Sequence, residues 1–74
     1  MVIRFEDRDG NWIKSWPNVE YSDHGVPNSG DHVLLHWGDY GEEVEDFVVL
    51  WRVFDGKRPD SVILVVERFK QVSI

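Results

Sequence analysis

The sequence predicts a small, mainly β domain. Three observations carry that reading: apolar and polar residues alternate with period two over short stretches, Gly, Pro and Asn punctuate the chain between them, and β-branched and aromatic residues dominate the stretches themselves. At 74 residues the chain, residues 1–74, forms one domain, because a chain of this length builds a single core. It contains no cysteine, so disulfides and thiolate zinc sites are excluded, and four tryptophans, four phenylalanines and two tyrosines must supply the packing.

Residues 2–6 and 11–16 flank Arg8-Asp9-Gly10 and read as a hairpin. A three-residue loop with Gly10 in the left-handed region pairs Phe5 with Ile13 and Ile3 with Ser15. This register gathers Ile3, Phe5 and Ile13 on one face and leaves Arg4, Glu6, Trp12, Lys14 and Trp16 on the other. A two-residue Asp9-Gly10 turn pairs Phe5 with Lys14 and mixes core with solvent on both faces, so the longer loop is expected. Residues 17–30, with two prolines, two glycines and two asparagines, read as an irregular loop. The next strand, 31–37, places Val33, Leu35 and Trp37 on one face and His32, Leu34 and His36 on the other.

Residues 46–55 then face residues 60–69 across a turn containing Gly56 and Pro59. Pairing Phe54 with Ser61 aligns Val49 with Val66, Trp51 with Leu64 and Val53 with Val62, which makes one face wholly apolar. The reverse face carries Val48, Leu50, Ile63 and Val65 beside Arg52 and Glu67, and calls for partial cover. A helix over 42–54 is the alternative: Val44, Phe47, Val48 and Trp51 form a stripe, with acids at one end and Gly56 beyond the other. The β-branched and aromatic content of residues 47–54 favours a strand, and a helix there makes the fold α+β. Five strands in antiparallel meander order suggest an SH3-like small barrel or a strongly twisted sheet.

Val26-Pro27, Gly30-Asp31, Val33 and Leu35, followed by Val62, Leu64 and Val66-Glu67-Arg68, form the patterns VPxxGDxVxL and VxLxVER. With Val49, Arg52 and Phe54 between them, these resemble segments of short uncharacterised bacterial proteins. The resemblance implies a small β-barrel and no assigned activity.

The formal charge of −6 argues against direct binding to nucleic acid or to an anionic membrane, both of which need positive surface. The N-terminus has no signal-like apolar run and no stretch is long enough to span a bilayer, so a cytoplasmic protein is expected. Residues 36–46 hold five acids, Asp39, Glu42, Glu43, Glu45 and Asp46, in an order that does not match a calcium loop, and no metal site is expected there. On a strand, His32 and His36 lie about 13 Å apart, too far to share one zinc ion. A small metal-dependent enzyme using His24, His32 or His36 is therefore a remote reading. No serine lies in a nucleophile elbow and no phosphate-binding loop is present, so neither catalytic residues nor a cofactor are expected.

Two functional expectations remain. The first is a noncatalytic interaction module that binds a protein partner, or itself as a homodimer, through Trp12, Trp16, Leu50, Ile63 and Val65. In this reading the tryptophans are either open to a partner or covered by Val19, Tyr21 and Val26 of the long loop. The second is an acidic decoy that occupies the basic groove of a nucleic-acid-binding protein, which requires Asp39, Glu42, Glu43, Glu45 and Asp46 to share one surface.

Overall fold

The computed structural model describes residues 1–17 and 25–69, and within them the chain is a five-stranded mixed sheet curled into a half-barrel. The strands are β1 (Val2–Glu6), β2 (Trp12–Trp16), β3 (His32–Trp37), β4 (Glu43–Phe54) and β5 (Ser61–Arg68). No helix occurs among the described residues, and residues 43–54 form a strand. Their β-branched and aromatic side chains gain cross-strand partners, on β3 from Glu43 to Val48 and on β5 from Phe47 to Phe54, which an isolated helical stripe would not provide.

The sheet order is β2-β1-β5-β4-β3. β1–β2, β4–β5 and β3–β4 pair antiparallel, as a meander requires, whereas β1 joins β5 in parallel. That contact sets Ile3 beside Val62 and Phe5 beside Leu64, all of them at most 1% exposed. It places β1 and β5 at the middle of the apolar inner face, with Val33, Leu35, Phe47, Val49 and Val66 completing the core. Met1, Ile13, Trp16, Val26 and Trp37 pack around it.

Each of the two long hairpins keeps the expected register at one end and loses it at a bulge. In the first, Asp7 N–H donates to the Asn11 carbonyl at 2.9 Å, Glu6 lies opposite Trp12, and Gly10 has a φ of 83°. The three-residue loop is thus as expected. Beyond Glu6 the ladder shifts at Ile13, so that Phe5 faces Lys14 and Ile3 faces Trp16 instead of Ile13 and Ser15. In the second hairpin Val49 faces Val66 as expected, and the ladder then shifts at Leu50. Trp51 faces Val65 and Val53 faces Ile63, where the unbroken register gave Leu64 and Val62.

The edge strands β2 and β3 do not pair, and Lys14 bridges the seam between them. Its ammonium donates to the His36 carbonyl and lies 5.3 Å from the centre of the Trp37 ring. On the other side of β2, Trp16 meets Phe5 edge to face at a centroid distance of 4.7 Å.

Phe5 is fully buried at the joint between the two hairpins. Replacing it with alanine is expected to remove about 3–5 kcal/mol of stability, a large share of what a domain of this size possesses. Urea unfolding followed by circular dichroism checks this, and a loss below about 1 kcal/mol would place Phe5 outside the core.

Candidate functional site

The bulges decide what the outer face presents. Residues opposite one another on neighbouring strands share a face, so the pairings define rows across the sheet. One row runs Trp12–Glu6–Val65–Trp51, and the adjacent row runs Ser15–Arg4–Ile63–Val53. Trp12 is 60% exposed, Trp51 46% and Val53 39%, whereas Val65 between them is buried. Three strand spacings separate the tryptophans, about 14 Å. The Trp12 indole N–H donates to Ser15 Oγ at 2.7 Å, which fixes its ring along the outer face.

Arg4 and Glu6 stand at the centre of this surface. Their charged ends are 3.7 Å apart, and the Arg4 Nε lies buried with no hydrogen-bond partner. An arginine so placed lends little to the stability of the isolated domain.

The expected partner-binding residues therefore divide. Trp12, Ile63 and Val65 belong to the outer face, with Val65 buried among its neighbours. Trp16 does not: the shift at Ile13 turns it inward against Phe5. Leu50 is the bulged residue, half-buried, with its carbonyl accepting from Ser29 Oγ at 2.8 Å. Trp51 and Val53, assigned to the core by the unbroken alternation, join the outer face in its place. Val26 packs against the core, whereas Val19 and Tyr21 lie outside the described residues.

The acids of residues 39–46 scatter. Glu42 folds back to accept the Tyr40 N–H at 3.0 Å, its carboxylate lying against Gly38 in the turn. Glu43 and Glu45 face Trp37 and Leu35 on the inner side of the sheet, and Glu45 pairs with Arg68 at 2.5 Å. Asp46 points to the outer side, where its carboxylate meets His32 Nδ1 at 2.9 Å. Asp39 is exposed in the turn. Alternation along a strand sends neighbouring carboxylates to opposite faces, so these five form no common surface.

His32 stacks edge to face on Phe69, and His36 Nδ1 lies 3.0 Å from the Gly41 carbonyl. His24 falls outside the described residues. Among the described residues, no three His, Asp or Glu side chains converge as a metal site would require, and no helix is long and apolar enough to cross a membrane.

An open cleft of about 430 Å³ lies at one end of the half-barrel. Ile13, Trp37, Phe47 and Val66 line it together with Asp7, Arg8, Asp9, Glu67 and Arg68. Its arginines are engaged, Arg8 with Glu67 at 3.1 Å and Arg68 with Glu45. Asp7 is engaged too. Its carboxylate accepts the N–H groups of Asn11 and Asp9, both at 2.9 Å, and the Asn11 side-chain amide at 3.2 Å. The Asn11 backbone bond chiefly holds the Asp7 pKa below its ordinary value, against some desolvation, with the Asn11 side chain and the Asp9 and Gly10 N–H groups adding to the effect. The cleft thus holds two ion pairs and a carboxylate bonded to its own turn, with Asp9 exposed beside them.

Compared with known proteins, the chain matches no family model, no curated protein and no solved structure.

Because the Asp7 pKa is lowered on folding, its contribution to stability is full above the unfolded value near 3.8 and fades as pH falls through the folded value. The melting temperatures of wild type and Asp7→Ala should differ most above about pH 4 and converge in stronger acid. A difference that stays constant from neutral pH into strong acid would show that the carboxylate's charge does not hold the turn.

Proposed function

We propose that this protein is a noncatalytic interaction module that binds a protein partner, or a second copy of itself, through the outer face of its sheet. The observation that carries the reading is the pair of rows Trp12–Glu6–Val65–Trp51 and Ser15–Arg4–Ile63–Val53. Two exposed indoles flank a centre where buried Val65 lies beside Glu6 and Arg4, and tryptophan and arginine are the side chains most enriched where binding energy concentrates. Arg4 supports the same reading: a distant ion pair and an unpartnered Nε make it a poor stabiliser of the free domain, while its guanidinium offers further donors to an incoming acceptor. The acidic residues lend no comparable surface, since Glu45 and Asp46 are paired on opposite faces.

The test is capture from a lysate of the host with the full chain immobilised, comparing wild type with Trp12→Ser, Trp51→Ser and Arg4→Met. The reading expects each variant to weaken a specific capture by about tenfold or more, in the range of interfacial hot spots. Tyr40→Ser, which alters a 95% exposed ring in the β3–β4 turn, should leave capture unchanged. Arg4→Met should also match or exceed the wild-type melting temperature, because it removes a buried unpartnered donor. Capture that is indifferent to Trp12 and Trp51, or lost equally with Tyr40→Ser, would contradict the assignment.

A further inference from the structure

β4 outruns its neighbour. β3 pairs with it from Glu43 to Val48, and the turn before β3 extends the contact by bonds from Gly30 N–H to the Val49 carbonyl, from Val49 N–H to the Asp31 carbonyl and from Ser29 Oγ to the Leu50 carbonyl. Among the described residues, Trp51–Phe54 pair on the β5 side alone. Their hydrogen-bonding direction follows from the ladder. Phe69 N–H donates to the Asp46 carbonyl, so Asp46, Val48 and, across the bulge, Trp51 and Val53 address β5. Arg52 and Phe54 consequently present their N–H and carbonyl groups to the open edge.

We infer that this edge pairs with the same edge of a second copy, antiparallel, about a two-fold axis at Val53; the inference rests on the interaction-module reading and names its partner. Charge selects the register. An axis at Arg52 sets two arginines directly opposite, and an axis at Phe54 sets Arg52 opposite Gly56, which has no side chain to meet it. An axis at Val53 places each Arg52 opposite the other copy's Phe54. It repeats between chains the cation–π contact that Arg52 makes with Phe54 within one chain, where the guanidinium lies 5.5 Å from the ring centre. The same register closes reciprocal backbone bonds between Arg52 and Phe54 and brings the two Val53 side chains together on the outer face, extending the tryptophan surface across the axis.

The distribution of charge permits two chains of net −6 to meet here. Arg52, Lys57 and Arg58 accompany Asp55 and Asp60 at this end of β4, whereas residues 39–46 hold five acids and no base at the other. Ten residues separate Glu43 from Val53, so the axis sets the two Glu43 residues about 65 Å apart, far beyond the screening length.

The test is sedimentation equilibrium of the full chain from about 10 μM to about 1 mM, a range that reads dissociation constants of weak dimers. The mass should rise from 8.7 kDa toward twice that value. Val53→Lys alone and Val53→Asp alone, each placing like charges at the axis, should raise the dissociation constant by about tenfold, and their equimolar mixture should restore association. Circular dichroism of each variant establishes that it folds. Backbone amide exchange at Arg52 and Phe54 should slow as concentration rises. A wild type that stays at 8.7 kDa, a Val53→Lys variant that associates as tightly as wild type, or a mixture that restores nothing overturns the pairing. So does amide protection independent of concentration, which puts another part of the same chain on the edge. A monomeric wild type whose partner capture still depends on Trp12 and Trp51 overturns this dimer and leaves the outer-face reading standing.

Discussion

A single sheet has no second layer against which to bury its inner face, so this one leaves water only by curling on itself. The parallel contact of β1 with β5 makes the curl worthwhile, because it joins the apolar faces of two hairpins into one continuous surface around Phe5 and Leu64. Curvature then has to come from somewhere. The bulges at Ile13 and Leu50 supply it, each inserting an unpaired residue that bends its strand and increases the local twist. Lys14 closes what the sheet leaves open, spanning from β2 to Trp37 and the His36 carbonyl of β3.

The same two bulges set the exterior. The shift at Ile13 takes Trp16 from the face of Trp12 and lays it on Phe5. The shift at Leu50 brings Trp51 and Val53 to the outer side beside Val65 and Ile63. The core thus gains one tryptophan from a hairpin end and gives up another where β4 runs past it. An exposed aromatic face is in this sense a consequence of the bulge: the residues beyond Leu50 run past the end of β3 and are exposed.

Much of this was legible in the sequence. Gly10 announced a left-handed turn residue, the runs of β-branched residues announced strands, and one end of each hairpin register held, Glu6 with Trp12 and Val49 with Val66, whereas Phe5 with Ile13 and Trp51 with Leu64 did not. The bulge at Leu50 was not legible because it falls within an apolar run. Val48, Val49, Leu50 and Trp51 offer no polar residue or glycine to mark a change of face, so an unbroken alternation fits them equally well. The parallel joint also left no local mark, since it pairs residues almost sixty positions apart through the whole intervening chain. The dispersal of the acids depends on where β4 begins: the expected strand opened at residue 46 and left Asp39, Glu42, Glu43 and Glu45 in a loop, whereas a strand from Glu43 sends Glu45 and Asp46 to opposite faces.

The displacement of Trp51 by the bulge at Leu50 supports both the outer face and the open edge, and cross-strand nuclear Overhauser contacts in the folded chain report on it directly. The account expects backbone contacts linking Trp51 with Val65 and Val53 with Ile63. Contacts linking Trp51 with Leu64 and Val53 with Val62 would mean an unbroken ladder, a Trp51 that faces the core, and an outer surface without its second tryptophan.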